Sequence, residues 1–177
     1  MGMDVKQKIA KSLEKLLKKK NFDDITVINI VEESGISKAT FYRYFKDKYA
    51  VVEYECEKSI MFFDSDIEVN PNLLHNMHKN LFEYIYLKKD FYSSVVKIYG
   101  QNSFVEIFTQ SGVKIFFSVY NKKHDEIPEE LKKITELYCY GFAMIVQNWI
   151  LQGFKKSPEY MSQITYACIP ESIKKYL

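Results

Sequence analysis

Residues 26–48 read TVINIVEESGISKATFYRYFKDK, and the fold turns on this stretch. Phe41, Tyr42, Tyr44 and Phe45 crowd around Arg43, the only arginine; the other 24 of the 25 basic residues are lysines. Val27, Ile30 and Val31 share one face of a short helix, for which Thr26 is the N-cap. Gly35 ends that helix, because a left-handed residue costs glycine nothing. Ile36 plugs the turn and Ser37 caps a further helix over 38–45. Two short helices joined by a tight glycine turn and braced by a longer first helix are a helix-turn-helix arrangement.

On a helix of about 100° per residue, Phe41 and Phe45 lie four apart on one face and continue the inward face of Ile36. Lys38, Ala39, Thr40, Tyr42, Arg43 and Tyr44 are left on the outer faces and the front end. A recognition helix needs such a set, because the major groove of double-stranded DNA admits a helix whose first residues reach base edges. Small Ala39 permits close approach and contact with a thymine methyl. Thr40 meets a base or a phosphate, and Arg43 forks onto guanine or a phosphate. The two tyrosine hydroxyls and Lys48 suit phosphates, which set register and affinity.

Working outward, Asp4 and Gln7 have capping-box spacing at the start of a first helix. Ile9, Leu13, Leu16 and Leu17 form its apolar stripe, and lysines 18–20 suit its C-terminal dipole. A fourth helix is expected over 47–63, then a loop at DSDIEVN (64–70). Asn70-Pro71 starts a fifth helix, since proline fits a first turn. Further helices are expected over 90–99, 102–122, 128–153 and 158–168. The fold class is therefore all-α with about nine helices, divided into a DNA-binding unit over 1–47 and a larger unit over 48–177.

The run 26–52, TVINIVEESGISKATFYRYFKDKYAVV, resembles the DNA-binding motif of TetR-type transcriptional regulators. In that family a threonine opens the second helix. A Gly-hydrophobic-Ser turn follows, then a Thr/Ser-Phe/Leu-Tyr-x-Tyr/His-Phe-x-x-Lys run. The resemblance covers about residues 8–56 and implies DNA contacts for Thr26, Lys38, Thr40, Tyr42, Tyr44 and Lys48. Val31 and Ser34 stand where the family often has alanine, and Ile28 where several members carry a polar or basic residue. The run 140–164, YGFAMIVQNWILQGFKKSPEYMSQI, resembles a low-G+C Gram-positive branch that includes activators of dihydroxyacetone kinase genes. The resemblance implies a homodimer whose larger domain binds a small-molecule effector. The same fold acting through a protein co-activator is the alternative: an open apolar cavity there favours the small molecule, a closed packed domain the protein.

Charge agrees with a DNA-binding head. Residues 1–50 hold 11 Lys/Arg against 7 Asp/Glu, and residues 51–177 hold 14 against 16. A basic head on a slightly acidic body directs only the head toward a polyanion. Three widely spaced cysteines, Cys56, Cys139 and Cys168, make neither a disulfide framework nor a zinc set. The N-terminus lacks the apolar stretch of a secretory signal, so a cytoplasmic protein is expected.

Residues 137–154, LYCYGFAMIVQNWILQGF, are an uncharged run of eighteen near the lower limit for a membrane span. Gln147, Asn148, Gln152 and two glycines argue instead for burial between helices, at a dimer seam with the 158–168 helix. Tyr138, Gly141, Ile145, Trp149, Met161, Ile164 and Cys168 are the candidate seam residues. Phe and Tyr together number 27. Most are core, and Tyr84, Tyr99, Phe108 and Tyr138, with Cys139, are candidates to line an apolar pocket. His75-x-x-His78 lacks a third ligand at a fixed offset, so no metal is expected. Ser12-x-x-Lys15 and Ser111-x-x-Lys114 lack the companion motifs of acyl enzymes. Neither an enzyme activity nor a cofactor is expected.

Overall fold

The computed structural model describes residues 4–60, 71–122 and 124–174. They form ten α-helices and no strand. Helices α1 (Val5–Leu17), α2 (Val27–Ser34) and α3 (Lys38–Tyr44) make an N-terminal head. Helix α4 (Lys48–Ile60) leads into a body of α5 (Pro71–Leu87), α6 (Lys89–Val95), α7 (Phe104–Tyr120), α8 (Glu129–Leu151), α9 (Pro158–Ala167) and α10 (Glu171–Lys174).

The nine expected helices are present, with bounds shifted by local chemistry. The loop expected at 64–70 lies outside the described residues, as does the end of the fourth expected helix. The sequence reading missed α10 and a 3-10 turn at Phe22–Asp24, both too short to show a period. Helix α6 stops at Val95 rather than 99, because the chain turns there: the Ile98 amide donates to the Val95 carbonyl and Gly100 takes φ +77°. Asp4 precedes α1 without a side-chain cap bond; its carbonyl accepts from the Lys8 amide instead.

The other caps follow their residue types. Thr26 Oγ1 accepts from the Asn29 amide at 3.2 Å while Asn29 Oδ1 accepts from the Thr26 amide at 3.1 Å, a reciprocal box. Gly35 sits at φ +62° and ends α2. Ser37 Oγ then accepts from the Thr40 amide at 3.0 Å. Ser103 and Ser157 cap α7 and α9 in the same way.

Packing makes two apolar cores. The larger runs unbroken from the head into the body, from Ile9, Leu13, Ile30 and Phe41 through Val51 and Cys56 to Phe82, Phe104 and Val146. Rings fasten the head to α4, with Phe22 on Tyr49 at 5.2 Å and Phe45 on Tyr54 at 5.7 Å between centroids. Phe41 has no exposed surface, and burying such a ring is worth about 1.5–3 kcal/mol. In the body α5 packs on α9, α7 on α8, and α4 on α7. The smaller core holds Phe116, Tyr120, Leu131, Ile169 and Ile173, where α7, α8 and α10 meet.

Candidate nucleic-acid interface and central cavity

Helix α3 is pinned from beneath by Phe41 and Phe45, whose rings lie 6.0 Å apart. That anchoring sets what the outer surface shows. Lys38, Ala39, Tyr42 and Arg43 are exposed, and Thr40 and Tyr44 are half-buried. The Arg43 guanidinium lies 5.1 Å from the centre of the Tyr44 ring, which restricts the fork without using its donors on a carboxylate. Lys38 leans toward the Tyr42 ring at 6.0 Å. Thr40 Oγ1 is 2.8 Å from Ser37 Oγ, so the capping pair also orients the threonine. Thr26 is exposed at the front of α2, and Ile28 on the same helix is 55% exposed. The structure thus brings six of the eight expected contact residues onto one short helix and leaves Thr26 at a neighbouring helix start.

Lys48 is placed differently from the sequence expectation of a phosphate contact. Its ammonium donates to the carbonyls of Phe22, Asp23 and Ile25 at 2.8, 3.2 and 2.9 Å and sits 4.5 Å over the Phe22 ring. Burial lowers its pKa, with Asp23 and Asp24 opposing. In this arrangement Lys48 ties the turn before α2 to the start of α4. A lysine's sequence position marks a charge, but only the fold shows which carbonyls collect it.

A polar knot spans the junction of head and body. Glu55 of α4 is 2% exposed, and its Oε2 accepts from Tyr84 Oη at 2.8 Å and from Lys88 Nζ at 2.7 Å. Lys88 also reaches Glu14 of α1 at 3.3 Å, and Lys58 stands 3.5 Å from Glu55. One cation between α5 and α6 therefore ties α1 and α4 together. Burial and the Glu55 charge push the Tyr84 hydroxyl far above its usual range. Two pocket candidates are corrected here. Tyr84 belongs to this knot, and Tyr99 is 72% exposed in the segment after α6 and does not line the cavity described next. Aromatic type alone does not distinguish a ring that packs from one that lines a void.

The void lies between the two cores. A cavity of about 130 Å³ is walled by Leu81, Phe108 and Phe142 from the larger core side and by Phe116, Ile169 and Ile173 from the smaller. Phe108, Tyr138 and Cys139 were expected in such a pocket and do line it. The sequence reading missed His78, which it weighed only as half of a metal pair. His78 Nδ1 lies 2.9 Å from the Leu74 carbonyl, and Nε2 lies 3.1 Å from Tyr138 Oη. Burial lowers the His78 pKa and raises those of Tyr138 and Cys139, the thiol to about 12. All three are therefore neutral near pH 7. The His78–Tyr138 pairing spans sixty residues of chain, so no local pattern could have revealed it. His75 turns instead to the Tyr166 ring at 5.3 Å.

Helices α8 and α9 show an apolar outer face. Leu137, Tyr140 and Leu151 are exposed on α8, and Tyr160 and Ile164 on α9. A shallow groove between the helices is lined by Leu137, Tyr138, Gly141, Ile145, Thr165 and Cys168. Of the seven seam candidates, Tyr138, Gly141, Ile145 and Cys168 line this groove and Ile164 is exposed beside it. Trp149 and Met161 are corrected: both are buried inside the protomer. Trp149 stacks edge-on to Phe82 at 5.2 Å and Phe154 at 4.9 Å, and its Nε1 donates to the Lys156 carbonyl at 2.9 Å. An all-round apolar helix says nothing about which residues its own chain already covers. No helix among the described residues is long and apolar enough to cross a membrane.

Two family descriptions match this chain. "Bacterial regulatory proteins, tetR family" covers residues 9–54, and "Transcriptional regulator C-terminal region" covers residues 72–171. No curated protein matches it in sequence. Among solved structures, the "Dihydroxyacetone kinase operon activator DhaS" is similar with a TM-score of 0.61 at 20% identity, covering 97% of each chain. A TetR transcriptional regulator from Streptococcus agalactiae 2603V gives 0.58 at 16% identity, over 92% of this chain and 91% of that one. The TetR family repressor AlkX from Dietzia sp. strain DQ12-45-1b gives 0.51 at 14%, over 98% and 97%. At these identities the structural likeness speaks for the fold. The chain belongs to the TetR family of transcriptional regulators, and its head is that family's DNA-binding helix-turn-helix.

Proposed function

We propose that this TetR-family regulator is a ligand-responsive repressor that binds a pseudo-palindromic operator as a homodimer. Residues 1–47 act as the DNA-binding unit and 48–177 as the ligand-binding and dimerisation unit. The observation that carries the reading is α3. Its buried Phe41 and Phe45 leave Lys38, Ala39, Thr40, Tyr42, Arg43 and Tyr44 turned outward or half-exposed. Arg43 is the base-reading fork, the tyrosines and Lys38 hold phosphates, and Thr26 holds a phosphate at the start of α2. Lys48 contributes by locking the turn that precedes α2.

The α8–α9 face supplies the dimer seam, through Leu137, Gly141, Ile145, Ile164 and Cys168. Two recognition helices then enter successive major grooves about 34–36 Å apart. The cavity supports a small molecule rather than a protein co-activator as the signal, since a packed domain would offer it no room. A bound molecule favours a dimer whose heads are spaced wrongly for the grooves, and a coupling of about 1–3 kcal/mol suffices to release DNA. Tyr138 and Phe142 border both the cavity and the seam groove, so they are the shortest path between the two.

The test is a genomic selection at physiological salt, in which sheared DNA of the source organism is mixed with purified protein and the retained fragments are sequenced. A shared palindrome upstream of a few genes is the expected result, with affinity falling steeply as salt rises. Retention without any shared site would reduce the interaction to electrostatics and sink the operator reading.

A further inference from the structure

We infer that the central cavity takes a compact, uncharged molecule about one aromatic ring in size, with at most one hydrogen-bonding group, which meets the His78–Tyr138 pair. The inference rests on the proposal that the cavity is the effector site, and it names the chemical class of that effector.

Size comes first. The cavity holds about 130 Å³. An engineered protein cavity of about 150 Å³ lined by Leu, Ile and Phe accepts benzene. A single six-membered ring therefore fits. Chemistry comes second. Among the described residues, no Asp, Glu, Lys or Arg lines the cavity. The lining hydroxyl of Thr135 is already spent on the Leu131 carbonyl at 2.8 Å. An ionised ligand would leave water with nothing of opposite charge to meet, a cost that apolar contacts do not recover. A thiol held up to about 12 is also a poor nucleophile, which points to reversible binding rather than covalent capture.

The polar edge is a single switchable point. Neutral His78 donates its Nδ1 hydrogen to the Leu74 carbonyl, which leaves Nε2 as an acceptor for the Tyr138 hydroxyl at 3.1 Å. The Tyr138 oxygen also lies 3.3 Å from the Thr165 carbonyl on α9. One hydrogen cannot serve both. A ligand hydroxyl can donate to Nε2 while Tyr138 gives its hydrogen to Thr165. The tyrosine's second acceptor thus lies on α9, the partner of α8 in the seam, so a hydroxylated ring has a direct means of strengthening the α8–α9 contact.

The experiment is a ¹⁹F NMR titration of the intact protein with fluorobenzene, 4-fluorophenol and 4-fluorobenzoate, three probes of one ring size. Saturable binding of the two neutral probes is expected, with 4-fluorophenol favoured about threefold to tenfold by its extra hydrogen bond. The benzoate should bind at least about tenfold more weakly. Gly112→Leu or Val119→Phe, checked for retained helicity and oligomeric state, should abolish binding by filling the cavity. The double variant His78→Leu with Tyr138→Phe should erase the preference for the phenol and keep fluorobenzene binding. No saturable neutral binding to the wild-type protein, or benzoate binding as well as phenol, overturns the inference. The effector reading itself is judged separately, by operator affinity with 4-fluorophenol bound. Neutral binding with unchanged operator affinity removes the regulatory role and leaves the ligand class standing. Release of DNA by a charged metabolite, with no neutral binding, does the reverse.

Discussion

The α3 surface and the central cavity are built from the same materials and do opposite things with them. Under α3, the buried Phe41 and Phe45 rings anchor the helix, and the result is a polar and aromatic face turned outward. In the body, two apolar clusters touch through Tyr138 and Phe142 yet leave an apolar cavity between them. A surface that reads DNA needs fixed geometry, so its support is fully packed. The proposed effector site needs a deficit of packing, and the cavity between the two clusters is such a deficit. Between them lies the Glu55–Lys88–Glu14 knot, which ties α1 to the body that contains the hollow.

The sharpest way to break this contrast is to put a void under α3. Phe41→Ala should cost about 3–5 kcal/mol of stability in denaturant unfolding, because a fully buried ring is removed from a filled core. DNA binding should be lost with it. A small cost would mean that the support of the face is as loose as the cavity.

The knot comes next. Lys88→Ala strips a charged donor from the nearly buried Glu55 and frees Glu14 of α1. A loss of about 2 kcal/mol is expected by thermal unfolding. Hydrogen exchange should rise in α1 more than in α8; equal change in both would dissolve the idea of a local tie.

Arg43→Ala probes the face without touching its support. Operator affinity should fall by about 1–3 kcal/mol in a binding titration, with the unfolding midpoint unchanged. An unchanged dissociation constant would mean that the recognition face is assigned wrongly.

Adding volume to the hollow should do the reverse of removing it from the head. Val119→Phe is expected to raise stability by about 0.5–2 kcal/mol, as cavity filling commonly does. Destabilisation would show the hollow to be tighter than its volume suggests.

The smallest effect is a pH dependence. Burial lowers the folded pKa of His78 below its ordinary 6.5, so the folded state prefers the neutral ring. The associated stability is present in full above pH 6.5. It is lost as pH falls from there through the folded pKa, because the unfolded chain takes up the proton first. His78→Leu should flatten that part of the stability profile, and an unaltered profile would show that the ring is not held neutral.

Much of this protein is written in short-range pattern. Caps, the Gly35 turn and the inward pair Phe41–Phe45 each depend on residues within four or five positions, and local geometry dictates them. That is why the head, its outward residues and the all-helical class were legible. Phe108, Tyr138 and Cys139 were legible as pocket candidates only by type. Tyr84 and Tyr99, equally good by type, went elsewhere because a buried carboxylate captured one and a surface turn carried the other.

What the sequence determined by itself is therefore every helix but the short α10, the outward face of α3 and the family to which they belong, since periodicity, capping and a dense local motif are nearest-neighbour properties. The tertiary structure decided the rest. It turned Lys48 onto three carbonyls, buried Trp149 and Met161 within one protomer, joined His78 to Tyr138 across sixty residues, and left a hollow between two cores. Each of those outcomes depends on which distant side chains compete for the same space, and competition for space exists only once the chain has folded.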